Sequence, residues 1–238
     1  MKVLAFDTSN MTMAVGLMED QKVLATIQTM TNRTHSKTLM PAIQNLMTQV
    51  GWVPTDIDRV VVAKGPGSYT GLRIAVTTAK TLADTLSCEL VGISSLKVLA
   101  ANCIGRKEWI VPLFDARRQN VYTVAYKWQE GELITALSDQ HLSLSELKER
   151  LDGQAIYFVG SDIEKFKDQL VTDFPQAILN DVSAWNYPCA ISLAQLGQKE
   201  TPEIDKDAFL PTYLKRVEAE EKWLEHHKLG EESYVEKI

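Results

Sequence analysis

The apolar positions of this chain switch repeatedly between a period of two and a period of about 3.6, and that switching predicts its elements. Lys2–Asp7 reads as an apolar strand, followed by strands at Thr12–Met18 and Lys22–Met30 across the hairpin-like Glu19-Asp20-Gln21. Ser36–Val50 then carries Leu39, Ile43, Leu46 and Val50 on one helical stripe, widened by Met40 and Met47. Gly51 stops it, and Pro41 removes one N–H, so the regular helix is expected to start nearer Met40 or to bend there. Val60–Ala63 is a short β-branched run of buried-strand type. A helix expected from Leu72 to Leu86 groups Leu72, Val76, Ala79, Leu82, Ala83 and Leu86, with Ala75, Ala79 and Ala83 recurring every four residues as a small-residue groove that lets another helix approach closely. Leu90–Ile93 and a helix to about Cys103, capped by Ser94 or Ser95, complete the first half.

After the polar break Gly105–Glu108 the pattern restarts. Trp109–Phe114 and Val121–Trp128 read as strands around the polar turn Asp115–Asn120. Ser143 to Glu146 forms a capping box opening a helix to about Leu151. A strand at Ala155–Val159 and helices at Ile163–Phe174 and Ala190–Gly197 follow. Both halves place an acid, Asp7 or Asp115, at a strand end and then alternate helices with strands. The expected organisation is an α/β protein with lobes at 1–104 and 105–216 and an acidic helical tail at 217–238.

Composition narrows the function classes. The 238 residues are 45% hydrophobic and 24% charged, which suffices for a packed core. The three cysteines are scattered, no run approaches the length of a spanning helix, and the apolar start of the chain reaches Asp7 too early for a signal peptide, so a cytoplasmic protein is expected. A net charge of −6 argues against a primary nucleic-acid binder. The charge is uneven: residues 1–104 carry nine basic and seven acidic groups, net +2, whereas 218–238 carry three and seven, net −4.

The densest signal is Gly65-Pro66-Gly67-Ser68-Tyr69-Thr70-Gly71-Leu72-Arg73, placed between a strand and a helix. Three glycines let the backbone approach something closely, and a loop feeding a helix start aims N–H groups outward. Together with the strand-end Asp7-Thr8-Ser9, this makes Asp7, Thr8, Gly65, Gly67, Ser68 and Gly71 a candidate nucleotide-facing loop. The run lacks the Gly-Lys-Ser/Thr ending of a P-loop and the Gly-x-Gly-x-x-Gly spacing, so a structural turn is an equal reading. No Gly-x-Ser-x-Gly nucleophile elbow occurs. His35 has Leu39, not a second histidine, four residues on, so no metal ligand set is expected. Arg117 and Arg118 beyond Asp115 suit an anion or simply a solvated hairpin tip.

In order and spacing, Leu4–Ser9, His35-Ser36 with Leu39 and Pro41, Gly65–Arg73, Asp115–Arg118 with Val121-Tyr122, and Pro211–Arg216 resemble the TsaB (YeaZ) family over residues 1–216. The resemblance implies the fold of actin, Hsp70 and sugar kinases: two lobes, each a mixed five-stranded sheet flanked by helices. It implies a part in forming N6-threonylcarbamoyladenosine (t6A) at position 37 of tRNAs reading ANN codons. There TsaC makes threonylcarbamoyl-adenylate, TsaD transfers the group, and TsaB with TsaE supports TsaD without catalysing. The chain departs from TsaD-like active members at Leu39, where they hold a second histidine, and at Val159-Gly160-Ser161-Asp162, which offers one glycine and an acid that would repel phosphate. The resemblance therefore implies no cofactor for this chain, ATP and Mg²⁺ use by the assembled complex, and tRNA contact only through it.

First-lobe helices form the family's partner bundle, which makes Met40, Met47, Leu72, Ala75, Val76 and Ala79 interface candidates. On that expectation Ala79→Arg would block docking and leave the fold intact, and the isolated chain would form a homodimer. Two other activities stay open at this point, an ATP-dependent phosphotransferase and a metallopeptidase-like hydrolase.

Overall fold

The computed structural model describes residues 1–30 and 34–215. Two five-stranded sheets carry the fold. The first has the order β3-β2-β1-β4-β5, from β1 (Lys2–Asp7), β2 (Met13–Glu19), β3 (Lys22–Thr29), β4 (Arg59–Gly65) and β5 (Glu89–Ser94). β1, β4 and β5 pair in parallel, while β2 pairs antiparallel with both β1 and β3. The second sheet repeats the arrangement as β10-β9-β6-β7-β8, from β6 (Trp109–Asp115), β7 (Asn120–Gln129), β8 (Glu132–Ser143), β9 (Ile156–Val159) and β10 (Ile178–Leu179). Here β6, β9 and β10 pair in parallel, and β7 pairs antiparallel with both β6 and β8. Asp7 and Asp115 thus close equivalent strands of the two sheets, as the doubled pattern predicts.

The helices α1 (His35–Val50), α2 (Tyr69–Thr85), α3 (Ser95–Ala101), α4 (Leu144–Leu151), α5 (Ile163–Asp173) and α6 (Ala190–Lys199) cover these sheets. α1 begins at His35 and contains Pro41, so of the two expectations the start near Met40 is not met. Pro41 and Lys37, whose carbonyl loses its usual donor, are both exposed, so water can serve that carbonyl. α2 begins at Tyr69, three residues before Leu72, because the Ser68 hydroxyl accepts the Gly71 N–H and caps it. The capping box at Ser143 and Glu146 opens α4 as expected. β8 and β10 have no counterpart in the sequence reading. β8 is a long edge strand whose pairing slips around Ala125, which breaks the period-two signal.

The expected second lobe, 105–216, is corrected in its last third. α6 lies on the first sheet: Leu193 and Ala194 share a core with Val3, Ala5, Met18, Val61, Ala63, Val91 and Ile93. Small residues permit that seating. A Cβ on Gly197 would overlap the Val61 methyls, and one on Gly16 would lie 3.0 Å from Ala190 Cβ. The segment after α6 also returns to the first sheet, with the Phe209 ring over Gly92 and the Thr212 N–H donating to the Lys64 carbonyl (2.7 Å). α3 bridges the lobes, since Leu96, Leu99, Ala100 and Cys103 pack on Ile110, Phe114, Val124 and Tyr157. Arg216 and the expected tail at 217–238 lie outside the described residues. No described helix is long and apolar enough to cross a membrane.

Candidate functional site

β1 and β4 are neighbouring parallel strands, so their C-terminal ends bring Asp7-Thr8-Ser9 and the Gly65–Gly71 run together. They meet backbone to backbone. The Ser68 N–H donates to the Ser9 carbonyl (2.6 Å), and the Thr8 hydroxyl donates to the Gly71 carbonyl (2.7 Å). A Cβ on Gly67 would overlap the Ser9 carbonyl oxygen, one on Gly71 the Thr8 carbonyl oxygen, and one on Gly65 the Thr212 carbonyl oxygen. The glycines therefore admit the chain's own backbone. At these three glycines the run is a packing joint. Asp7 and Thr8 are fully buried beneath it.

Asp7 is the electrostatic anomaly of this corner. One carboxyl oxygen accepts the Ser9 N–H (2.6 Å), while Oδ2 is buried with no protein partner. Burial pushes its pKa up to about 6, against the pull of the Ser9 hydrogen bonds and the nearby His35 charge. His35, the first residue of α1, donates from Nε2 to the Asn10 carbonyl (2.8 Å), which puts a hydrogen on that nitrogen. The sequence places Ser9 in the strand-end Asp7-Thr8-Ser9 motif but gives Asn10 no motif of its own. Their signal was adjacency to a strand-end acid.

The matching corner of the second lobe is also internally bonded. The Gly160 N–H donates to Asn186 Oδ1 (2.9 Å), and Asp162 Oδ2 accepts the Asp115 N–H (2.9 Å). Lys165 bridges Asp115 (3.1 Å) and Asp162 (3.0 Å). Asp162 is thus a structural clamp on the turn. Arg117, Arg118 and Gln119 form the hairpin tip with three consecutive positive φ values. No group of three His, Cys, Asp or Glu side chains able to hold a metal ion occurs among the described residues.

The interface candidates divide sharply. Met40 is 46% exposed on α1. Met47, Leu72, Ala75, Val76 and Ala79 are buried in this chain, and all but Leu72 share a core with Val60, Val62 and Leu90. The small Ala75 and Ala79 let α2 sit close on β4 and β5, and in this structure all five buried residues offer a partner no surface. The outward positions are Pro41, Gln44 and Asn45 on α1 and Arg73, Thr77 and Thr81 on α2. They could have been found as the positions half a turn from each apolar stripe. Tyr69 and Tyr213, with rings 5.0 Å apart, and Arg73 over Tyr69 form a further exposed group at the start of α2.

Comparison with known proteins gives this architecture its relatives. The family model described as "TsaD: tRNA N6-adenosine threonylcarbamoyltransferase" matches residues 23–223. The tRNA threonylcarbamoyladenosine biosynthesis protein TsaB of Bacillus subtilis is 39% identical over 230 residues, 96% of this chain and 100% of that protein. The Escherichia coli protein of the same name is 32% identical over 134 residues, 55% of this chain and 57% of its own. Among solved structures, YeaZ from Pseudomonas aeruginosa superposes with a TM-score of 0.74 at 25% identity, covering 90% of this chain and 99% of that one. The ROK hexokinase from Thermus thermophilus shares the fold alone, at 10% identity and a TM-score of 0.50. The family model carries the name of the transferase, but the end-to-end relative is TsaB, and the paired sheets are those of the actin, Hsp70 and sugar-kinase fold. The chain belongs to the TsaB (YeaZ) family of tRNA threonylcarbamoyladenosine biosynthesis proteins.

Proposed function

We propose that this chain is a non-catalytic subunit that docks on the threonylcarbamoyltransferase TsaD and, with TsaE, supports threonylcarbamoyl transfer to A37 of ANN-decoding tRNAs. The observation that carries this reading is the packing of Gly67 and Gly71 on the Ser9 and Thr8 carbonyls. The glycines of this strand-end loop admit the chain's own backbone, which favours a packing joint over a phosphate cradle. The internally bonded corner at Gly160 points the same way. His35 is engaged with the Asn10 carbonyl rather than paired with a second histidine, which speaks against a metallopeptidase.

On this reading ATP and Mg²⁺ serve the assembled complex, and tRNA is met only through it. The docking face is the outer side of α1 and α2, from Met40, Pro41 and Gln44 to Arg73, Thr77 and Thr81, and in the absence of TsaD two copies pair through the same face. The test mixes the chain with TsaD from the same cell, follows co-elution, and measures t6A formation with TsaC, TsaE, ATP, threonine and bicarbonate. Stable co-elution and a loss of modification when the chain is omitted are expected. Equal modification without it, or ATP turnover by the chain alone, would overturn the proposal.

A further inference from the structure

Both helices of the proposed docking face start from one turn, Thr8–Asn10. His35, the first residue of α1, donates to the Asn10 carbonyl at 2.8 Å. The cap of α2 is held by the Ser68 N–H on the Ser9 carbonyl at 2.6 Å, and its first turn by the Thr8 hydroxyl on the Gly71 carbonyl at 2.7 Å. The turn is itself bound inward, with the Ser9 N–H on Asp7 and the Thr12 N–H on Asn10 Oδ1 (2.8 Å). α1 and α2 otherwise meet through the sheet beneath them rather than through a broad mutual contact. Their relative position is therefore fixed at one end by this turn.

We infer that the Thr8–Asn10 turn is a positioning element for partner docking, setting the spacing and angle of α1 and α2 through the Thr8–Gly71 and His35–Asn10 bonds without touching the partner. The inference rests on the docking reading above and adds residues to it. Two helices that dock together must hold their relative geometry before the partner arrives, because any freedom left at the joint is ordering that binding must supply. Thr8 is fully buried and His35 half-buried, so neither belongs to the docking face. A turn that served only the core would change stability and leave docking alone.

The experiment uses the full chain with Thr8→Ala, Thr8→Ser, His35→Ala and His35→Gln. Spin labels at Gln44→Cys and Thr81→Cys, in a Cys189→Ser background, report the α1–α2 distance, since Cys88 and Cys103 are buried. Affinity for TsaD is measured at a temperature where every variant is folded by circular dichroism. The alanine variants are expected to broaden or shift the distance distribution and to weaken TsaD binding on the order of tenfold. Thr8→Ser and His35→Gln, which keep a donor, are expected to restore both. Unchanged distances, or a Kd within about twofold of wild type despite lowered stability, would overturn the inference. If Thr8→Ala does not fold, the half-buried His35 pair decides. If the wild-type chain does not bind TsaD, the docking reading fails, and the positioning role stands or falls on the distances alone.

Discussion

Arg59 Nη1 on β4 lies 2.6 Å from the carbonyl oxygen of Gly197 on α6. The same nitrogen reaches the Gln198 carbonyl at 3.2 Å and the Glu200 carbonyl at 3.1 Å, while Arg59 Nε donates to Glu89 at 2.7 Å. A helix leaves its last carbonyls without partners and carries partial negative charge there. A guanidinium buried to 6% exposure answers both needs at once. This single side chain ties a helix from late in the sequence to the first sheet.

Arg59→Ala is accordingly expected to lower the unfolding free energy by about 2–4 kcal/mol, since it strands several α6 carbonyls and unpairs Glu89. Glu89 is half exposed, so most of that loss comes from the carbonyls. Arg59→Lys recovers only part, because one ammonium cannot span three carbonyls and a carboxylate in fork geometry. Urea denaturation of the three proteins measures the order. An Arg59→Ala protein as stable as wild type would show that α6 holds its place without the cap.

Ala79 and Gln44 distinguish core from surface on the helix pair. Ala79→Arg is expected to destabilise the first lobe by more than about 4 kcal/mol, because it forces a charge into the core between α2 and the first sheet. Gln44→Arg and Thr77→Arg sit on exposed positions and are expected to change stability by only about 0.5 kcal/mol. Those two should abolish co-elution with TsaD while thermal melts stay in place. A folded Ala79→Arg protein would return that residue to the surface.

How far the sequence revealed this molecule depends on what a period can encode. Periods of 2 and 3.6 name an element and its apolar face, and among the described residues they located most of the strands and the six helices. They do not name the opposing face, so nothing in Ala190–Gly197 showed that α6 crosses to the first sheet. Ala75, Ala79 and Ala83 promised a close approach, expected to be that of another helix, but what lies against them is β4 and β5, because spacing encodes a small face and not its partner. The glycine run behaved the same way: spacing fixed where a backbone comes near, and only the fold shows that Thr8, Ser9 and Thr212 are what comes. β8 was missed because its edge position and slipped register erase the alternation that marks a strand.

Gly71→Ala tests that packing joint directly. The added methyl must displace the Thr8 carbonyl, which is backbone inside a parallel-strand corner and cannot rotate away. A loss of about 2–4 kcal/mol is expected, although alanine is the better helix former at this first-turn position. Chemical denaturation is the readout. A gain in stability would mean that the loop has room for a side chain and is not a packing joint.

Asp7 yields a prediction whose sign depends on pH. Its carboxyl holds a proton up to about pH 6 in the folded chain, whereas an unfolded carboxyl releases it near 3.8. The folded state therefore binds more protons between those values, and the contribution of Asp7 to stability falls as pH rises through the window. At neutral pH the buried carboxylate carries the full penalty, about 2–3 kcal/mol from a shift of roughly two pH units. Asp7→Asn removes the charge and keeps the shape, with an amide oxygen still able to accept the Ser9 N–H. The variant is expected to match wild type near pH 4 and to exceed it by about 1–3 kcal/mol above pH 7, with the difference growing through pH 4–6.5. Paired urea titrations across that range measure the difference and cancel every other titrating group. A difference that stays flat would show that Asp7 is ionised throughout in the folded chain, and that its Oδ2 has a partner beyond the protein.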